Sequence, residues 1–145
     1  MSDAETRRLV FEQEMPHPPE KVWRALTESA LLDEWLMHND FQPVVGHHFN
    51  FRREPTPTWN GVVDCEVLEV EHGQRLSYRW DSSGEEAGNM RTVVTWTLTP
   101  TERGTLIRLE QAGFPPEGAG AYYQGASYGW PRFLGALEQV LSGLK

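Results

Sequence analysis

The sequence predicts an α+β domain in which an antiparallel sheet carries helices on one face. Two segments indicate this most clearly. Residues Pro18 to Thr27 (PPEKVWRALT) place apolar side chains at helical period just after a strand, whereas residues Thr92 to Pro100 (TVVTWTLTP) alternate at period two. Further strand patterns surround both segments, and the chain closes with a helix. This order is typical of a sheet covered by helices on one side, with a pocket between the two.

A first strand is predicted from Thr6 to Met15, with Leu9 and Phe11 on the same side as Met15 and the glutamates on the other. Pro18 and Pro19 end this strand. Proline is tolerated in the first turn of a helix, because its missing N–H would be unpaired there in any case. A helix is therefore expected to follow directly.

A second short helix is expected after the first, with Thr27 as its N-cap. Within it, Leu31 lies four residues before Trp35, and Leu32 lies four residues before Leu36. Side chains at this spacing share one face of a helix, so both pairs are predicted to pack together.

The middle of the chain predicts strands joined by polar turns. On the predicted strand over residues 91–99, the side chains of Val94, Trp96 and Leu98 fall on one face. The predicted strands cover residues 48–52, 62–70, 75–80, 91–99 and 105–111.

The C-terminal segment reads as a helix with an aromatic stripe. The stripe comprises Tyr123, Ala126, Trp130, Phe133, Leu137 and Val140. Pro131 cannot donate a hydrogen bond to the carbonyl of Ser127, so a kink or a local opening is expected there. The half of the helix before Pro131 is predicted to act as the lid of the pocket.

Length and composition favour one domain spanning residues 1–145. The formal charge of -8 argues against nucleic acid as a partner. No apolar run reaches the length of a membrane span, and the first ten residues lack the apolar core of a signal peptide. Cys65 is the single cysteine, so an internal disulfide is excluded. It is expected to fill core volume on its strand, and a reducing cytoplasm is the expected location.

Two patterns that suggest catalysis fail on context. GASYG (Gly125 to Gly129) matches the nucleophile elbow of hydrolases, but no strand precedes it and no histidine follows Ser127. The five histidines lack the spacing of metal ligands. We therefore expect no catalytic residue, no metal and no cofactor.

Polar and aromatic residues on the predicted strands are candidates for a binding cavity. Arg79, Arg91 and Glu110 either face solvent or, if they point inward, form an Arg–Glu pair that would orient a ligand. Tryptophans and a tyrosine could line the same cavity. These aromatic candidates are Trp59, Trp80, Trp96, Tyr123 and Trp130.

The ordered set of motifs resembles the START-like (SRPBCC) superfamily, in particular the branch similar to the C-terminal domain of the activator of the 90-kDa heat-shock protein ATPase. The motifs that carry the resemblance are PPEKVWRALT, LLDEWL, FQPVVGHHFNF, GVVDCEVLEVE, QRLSYRW, TVVTWTLTP, GTLIRLEQAGF and the pair Gly129–Trp130. They extend over nearly the whole chain.

The resemblance implies a helix-grip fold, in which a curved antiparallel sheet wraps around a long C-terminal helix and two short helices follow the first strand. It implies signature positions at Trp23, Trp35, Gly46, Trp80 and Trp130. The sequence departs from the family pattern at His47, where a second glycine is usual, and at Gln111, where a histidine is usual.

Three functions are compatible with this resemblance. The leading hypothesis is non-enzymatic binding of a small hydrophobic molecule between sheet and C-terminal helix. The first alternative is a chaperone-associated interaction domain, and the second is an enzyme of the aromatase or cyclase type. The sequence leaves open whether the protein is a monomer or a homodimer.

Overall fold

The computed structural model describes residues 7–55, 61–82, 90–114 and 120–144. These residues form seven strands and three helices, and all of them except the short strand β2 follow the order that the sequence predicts. The elements are β1 (Arg7–Met15), α1 (Pro19–Thr27), α2 (Ser29–Trp35), β2 (His38–Asn39), β3 (His48–Arg52), β4 (Val62–Glu71), β5 (Arg75–Ser82), β6 (Met90–Pro100), β7 (Thr105–Phe114) and α3 (Gly120–Gly143).

The strands form one curved antiparallel sheet in the order β1-β7-β6-β5-β4-β3-β2. Side chains alternate between a buried inner face and an outer face, as the period-two pattern predicts. On β6, for example, Val94, Trp96 and Leu98 are buried, while Thr95 and Thr97 between them are only partly covered. The predicted helix-grip architecture is therefore confirmed.

Three strand pairs mark one end of the antiparallel sheet. By register, Arg7 pairs with Phe114, Ser82 with Met90, and Arg52 with Val62. Helix α3 is the next element along the described chain after β7.

The two short helices follow β1 as predicted, but the predicted N-cap of α2 is wrong. The residue at the N-cap position is Glu28, which makes no side-chain cap bond. The Thr27 hydroxyl instead donates to the carbonyl of Trp23, 2.7 Å away, inside α1. This back-bond to the residue four positions earlier competes with capping of the next helix. The four apolar residues at the expected spacing, Leu31, Leu32, Trp35 and Leu36, are all buried.

Strand β2 was not expected, because His38 reads as a loop histidine after a helix end. Two residues pair with β3, His38 with Arg52 and Asn39 with Phe51. The His38 Nδ1 lies 2.6 Å from the carboxylate of Asp33 at the end of α2. So short a strand carries no periodicity, so sequence alone could not reveal it.

Helix α3 is continuous from Gly120 to Gly143 with Pro131 inside it, so the expected local opening does not break the helix. The two sides of Pro131 nevertheless pack differently. After Pro131, Leu134, Leu137 and Leu141 are buried in the main core. Before Pro131, Tyr128 is 75% exposed, and Tyr123 packs against a separate small cluster built on Leu9 and Phe114.

The signature position Gly46 and the single cysteine, Cys65, both take structural roles. Gly46 has φ +88°, a conformation that L side chains rarely adopt, and its N–H donates to the carbonyl of Val67. Cys65 is buried between Val63 and Val67 on β4, as predicted. Burial raises the pKa of the Cys65 thiol, which keeps it protonated and unreactive.

The interior between the sheet and the C-terminal helix

Trp130 connects α3 to the inner face of the sheet. Its ring centroid lies 5.2 Å from that of Trp80 on β5 and 5.9 Å from that of Trp96 on β6. All three tryptophans are nearly fully buried. The structure thus brings three of the predicted aromatic residues together beneath the middle of α3.

A chain of buried hydrogen bonds runs through this aromatic cluster. The Trp130 indole N–H donates to the Gln111 carbonyl oxygen at 2.7 Å, and the Gln111 amide donates to the Thr92 hydroxyl at 2.9 Å. The Thr92 hydroxyl in turn donates to the backbone carbonyl of Trp80 at 2.7 Å. The chain therefore links α3 to β7, β6 and β5. We call Trp130, Gln111 and Thr92 the polar relay.

A second buried bond lies beside the polar relay. The Trp96 indole N–H donates to the Tyr78 hydroxyl at 2.9 Å. Burial raises the pKa of Tyr78 above its usual range, so this phenol is neutral at physiological pH. It can act as a neutral hydrogen-bonding group but not as a base.

The buried part of the described sheet carries no charged side chain. Among the buried residues of the described strands there is no Asp, Glu, Lys, Arg or His, and the buried polar residues are Ser77, Thr92, Thr105 and Gln111. An ionised ligand group placed beside the polar relay would find no buried counter-ion on these strands, at a cost of several kcal/mol. The arrangement suits neutral molecules.

Tyr123 lies at the edge of this interior, near the start of α3. Its ring packs edge-on against Phe114 at 5.0 Å, and the Arg7 guanidinium lies 4.2 Å from its centroid. Tyr123 therefore connects the first half of α3 to the start of β1 and the end of β7. It is separated from Trp130 by nearly two helical turns.

The charged candidates lie on the outer face of the sheet. Arg79 lies 3.7 Å from Asp81, and Glu110 accepts hydrogen bonds from Arg8 and Arg108 at 3.2 Å each. Arg91 is exposed on the same face. The strand alternation that buries Tyr78, Trp80 and Gln111 turns these neighbours away from α3. The inward Arg–Glu pair that the sequence left open is therefore not formed.

Asp81 shares this outer face and is partly shielded. One of its carboxylate oxygens is buried without a hydrogen-bond partner in the described residues. This desolvation raises the pKa of Asp81, although Arg79 and Arg91 nearby oppose the shift.

Trp59, the remaining candidate, lies outside the described residues. Sequence reasoning in turn missed Gln111 and Thr92 as polar residues of this interior. A signal for Gln111 was present, because it follows Ile107 and Leu109 at period two and so had to face inward. A buried amide in an apolar row needs a partner, which the tryptophan-containing helix supplies.

Other features of the described residues lie away from this interior. A groove of about 300 Å3 lies between α2 and the end of α3, lined by Glu34, Ala136, Gln139, Val140, Gly143 and Leu144. No three His, Cys, Asp or Glu residues in the described ranges are placed to hold a metal ion. Within those ranges, none of the helices has the length and apolarity that crossing a membrane requires.

A curved antiparallel sheet that closes on a long C-terminal helix, with two short helices after the first strand, defines a helix-grip protein of the START-like (SRPBCC) superfamily. Residues 16–142 match the family model described as "Activator of Hsp90 ATPase homolog 1-like protein". The chain belongs to this family. No curated protein matches it.

Solved structures agree with this assignment. Protein MLL2253 from Mesorhizobium loti is 50% identical, with a TM-score of 0.88 over 96% of this chain and 99% of that one. Protein BH1534 from Bacillus halodurans is 27% identical, with a TM-score of 0.75 over 95% of this chain and 99% of that one. DynU16, a putative protein in the dynemicin biosynthetic locus, is 24% identical with a TM-score of 0.75. Since the match covers 93% of this chain but 47% of DynU16, this likeness shows the fold alone.

Proposed function

We propose that the protein binds a small, uncharged hydrophobic molecule between the sheet and helix α3, without transforming it chemically. The observation that carries this proposal is the polar relay. It places a few neutral hydrogen-bonding groups in an otherwise apolar, aromatic interior beneath α3. Binding sites for small molecules commonly have this composition, because apolar walls supply affinity and a few polar groups fix orientation.

The packing of α3 suggests how a ligand reaches the relay. Leu134, Leu137 and Leu141 anchor the second half of the helix in the main core. Before Trp130, which itself lies in the main core, Tyr123 and Ala126 pack on the smaller cluster around Leu9 and Phe114. Separating the part of α3 before Trp130 from the sheet therefore exposes less apolar surface than separating the second half, and local opening is favoured where few buried contacts hold an element.

Hydrogen exchange tests this lid. Amides from Ala121 to Trp130 should exchange faster than those from Leu134 to Leu141, and a bound ligand should slow the first group selectively. Equal and high protection of both halves in the free protein would show a rigid core helix and exclude the lid.

The uncharged interior supports a binding protein over an enzyme. Aromatase or cyclase chemistry that relies on general acids and bases needs ionisable groups converging on a substrate. The described inner face offers the hydroxyls of Tyr78 and Thr92 and the amide of Gln111 instead. No described surface specifically favours a chaperone as partner. A cytoplasmic location stays part of the proposal, supported by the buried free thiol of Cys65.

A matched probe series tests the proposed ligand class. Naphthalene, 2-acetylnaphthalene and 2-naphthoate share one ring system but differ in a neutral acceptor or a negative charge. Binding is followed by quenching of tryptophan fluorescence. We expect 2-acetylnaphthalene and naphthalene to bind more tightly than 2-naphthoate, because the buried residues of the described strands offer no counter-ion beside the polar relay. Tighter binding of 2-naphthoate would contradict the proposal.

Native mass spectrometry of the purified protein provides an independent test. A retained neutral molecule of low polarity would support the proposal and identify the ligand. If no small molecule is retained and no member of the probe series binds, the binding function is wrong.

A further inference from the structure

The first strand leaves one edge of the sheet open to a partner. β1 stands at the end of the strand order, and β7 is its one neighbouring strand in the described sheet. It is nine residues long, whereas β2 at the opposite edge has two. An edge strand of this length presents a row of backbone N–H and C=O groups that can pair with another strand.

Charge is distributed unequally along the outer face of β1. Arg8 lies near its start, Val10 in the middle, and Glu12 and Glu14 toward its end, all on the outer face. The Val10 side chain is 39% exposed, among the few large apolar residues that are open in the described structure. A second β1 running antiparallel would bring the positive end of each strand opposite the negative end of the other.

We propose that two copies of this chain associate through antiparallel pairing of their β1 strands, with Val10 opposite Val10 across a two-fold axis. In this register Arg8 of each copy, which also contacts Glu110 of its own chain, lies opposite Glu12 of the other, which also lies near its own Arg108. Two favourable cross-strand pairs are thereby added to these exposed networks. On the inner face, Leu9 lies opposite Phe11, so the apolar row continues from one sheet into the other.

The neighbouring registers that keep the inner faces aligned are less favourable. Shifting the pairing by two residues in one direction keeps two favourable pairs, Arg8 with Glu14, but places Val10 opposite Glu12, and a further shift places Glu12 opposite Glu12. Shifting the other way first places Arg8 opposite Val10 and then Arg8 opposite Arg8. The register centred on Val10 is the most favourable of these, because it combines two Arg–Glu pairs with contact between the two valines and places no like charges opposite each other.

A disulfide cross-link tests both the interface and its register. Directly opposite residues in an antiparallel pair have Cα atoms about 4.5–5.5 Å apart, which a disulfide can span. Val10→Cys should therefore form a covalent dimer under mild oxidation. Leu68→Cys is the matched control, because Leu68 is 37% exposed on β4. Cys65 is buried and does not interfere.

Charge reversal in the Val10→Cys chain tests the pairing of Arg8 with Glu12. Arg8→Glu should slow cross-linking about tenfold, because two attractive pairs become two repulsive ones. Adding Glu12→Arg to that variant should restore the rate. Arg52→Glu, which changes the net charge equally on the distant strand β3, should slow it far less. Melting temperatures verify that every variant is folded.

Three results would overturn the proposal. The first is Val10→Cys cross-linking no faster than Leu68→Cys. The second is a rate that Arg8→Glu leaves unchanged or that the double reversal fails to restore. The third is a wild-type chain that sediments as a monomer up to the highest concentration that stays in solution. A dimer whose dissociation constant rises with salt would support it, since exposed ion pairs are screened.

Discussion

Removing the Gln111 side-chain amide should reveal how strongly the polar relay holds α3 on the sheet. Gln111→Leu keeps the apolar volume similar but leaves the Trp130 indole N–H, which now donates at 2.7 Å, without its acceptor. Gln111 is 1% exposed, so water does not replace the lost partner in the closed structure. A buried donor left unsatisfied costs about 1–3 kcal/mol, and we expect a loss of stability in this range.

The partner substitution Trp130→Phe removes the donor and leaves the Gln111 oxygen unsatisfied. It also removes part of a large ring that contacts Trp80 and Trp96, so its cost should exceed that of Gln111→Leu. The double variant lacks both the Trp130 indole N–H and the Gln111 carbonyl oxygen, so neither group is left buried without a partner. The combined loss should therefore be smaller than the sum by about 1–2 kcal/mol.

Urea unfolding followed by circular dichroism measures the four free energies of this double-mutant cycle. Cys65→Ala paired with Gln111→Leu is the control. Cys65 lies on β4, three strands from β7 and about 14 Å away, so these two effects should add. Additivity within about 0.3 kcal/mol for Gln111 and Trp130 as well would refute the reasoning, because it would mean that their bond contributes nothing to stability.

Three further predictions concern single residues. Cys65→Ala should cost about 1–2 kcal/mol in unfolding free energy and leave probe binding intact; loss of all binding in the folded variant would contradict its structural role. Ser127, exposed within α3, should not react with a fluorophosphonate probe, and stoichiometric labelling there would overturn this. His17 should make stability depend on pH. Burial, and then the nearby Lys21 ammonium, lower the pKa of His17 below 6.5, although Glu138 opposes the shift. The unfolded chain therefore takes up the proton first, so stability is complete above about pH 6.5 and falls as the pH drops below it. His17→Gln should flatten that part of the profile, and an unchanged slope would exclude His17 as its cause.

The geometry around His17 explains the direction of this effect. Lys21 Nζ lies 3.1 Å from His17 Nδ1, so the ammonium donates and the imidazole accepts. Protonation of the ring would place an N–H against the ammonium. The other ring nitrogen is buried without a partner among the described residues. Both facts favour the neutral imidazole in the folded protein.

The sequence by itself determined the elements and the faces that they bury. Period two on β6 assigned Val94, Trp96 and Leu98 to the interior, and the four-residue spacing of Leu31 and Trp35 assigned the buried side of α2. Such patterns can be read from the sequence because burial of one face imposes its period on the chain. The ordered motifs also indicate the helix-grip fold.

The tertiary structure decided which polar residues meet in the interior. Arg79 on β5 and Gln111 on β7 are both polar residues within strands of the same sheet. Of these two, Gln111 faces α3 and Arg79 faces outward. Alternation along a strand determines which of its side chains face inward. The hydrogen-bond partner of a buried amide depends in addition on how the strands and the helix pack against one another. The bond between Gln111 and Trp130 spans two elements and is set by the position of α3 on the sheet, which local periodicity does not encode.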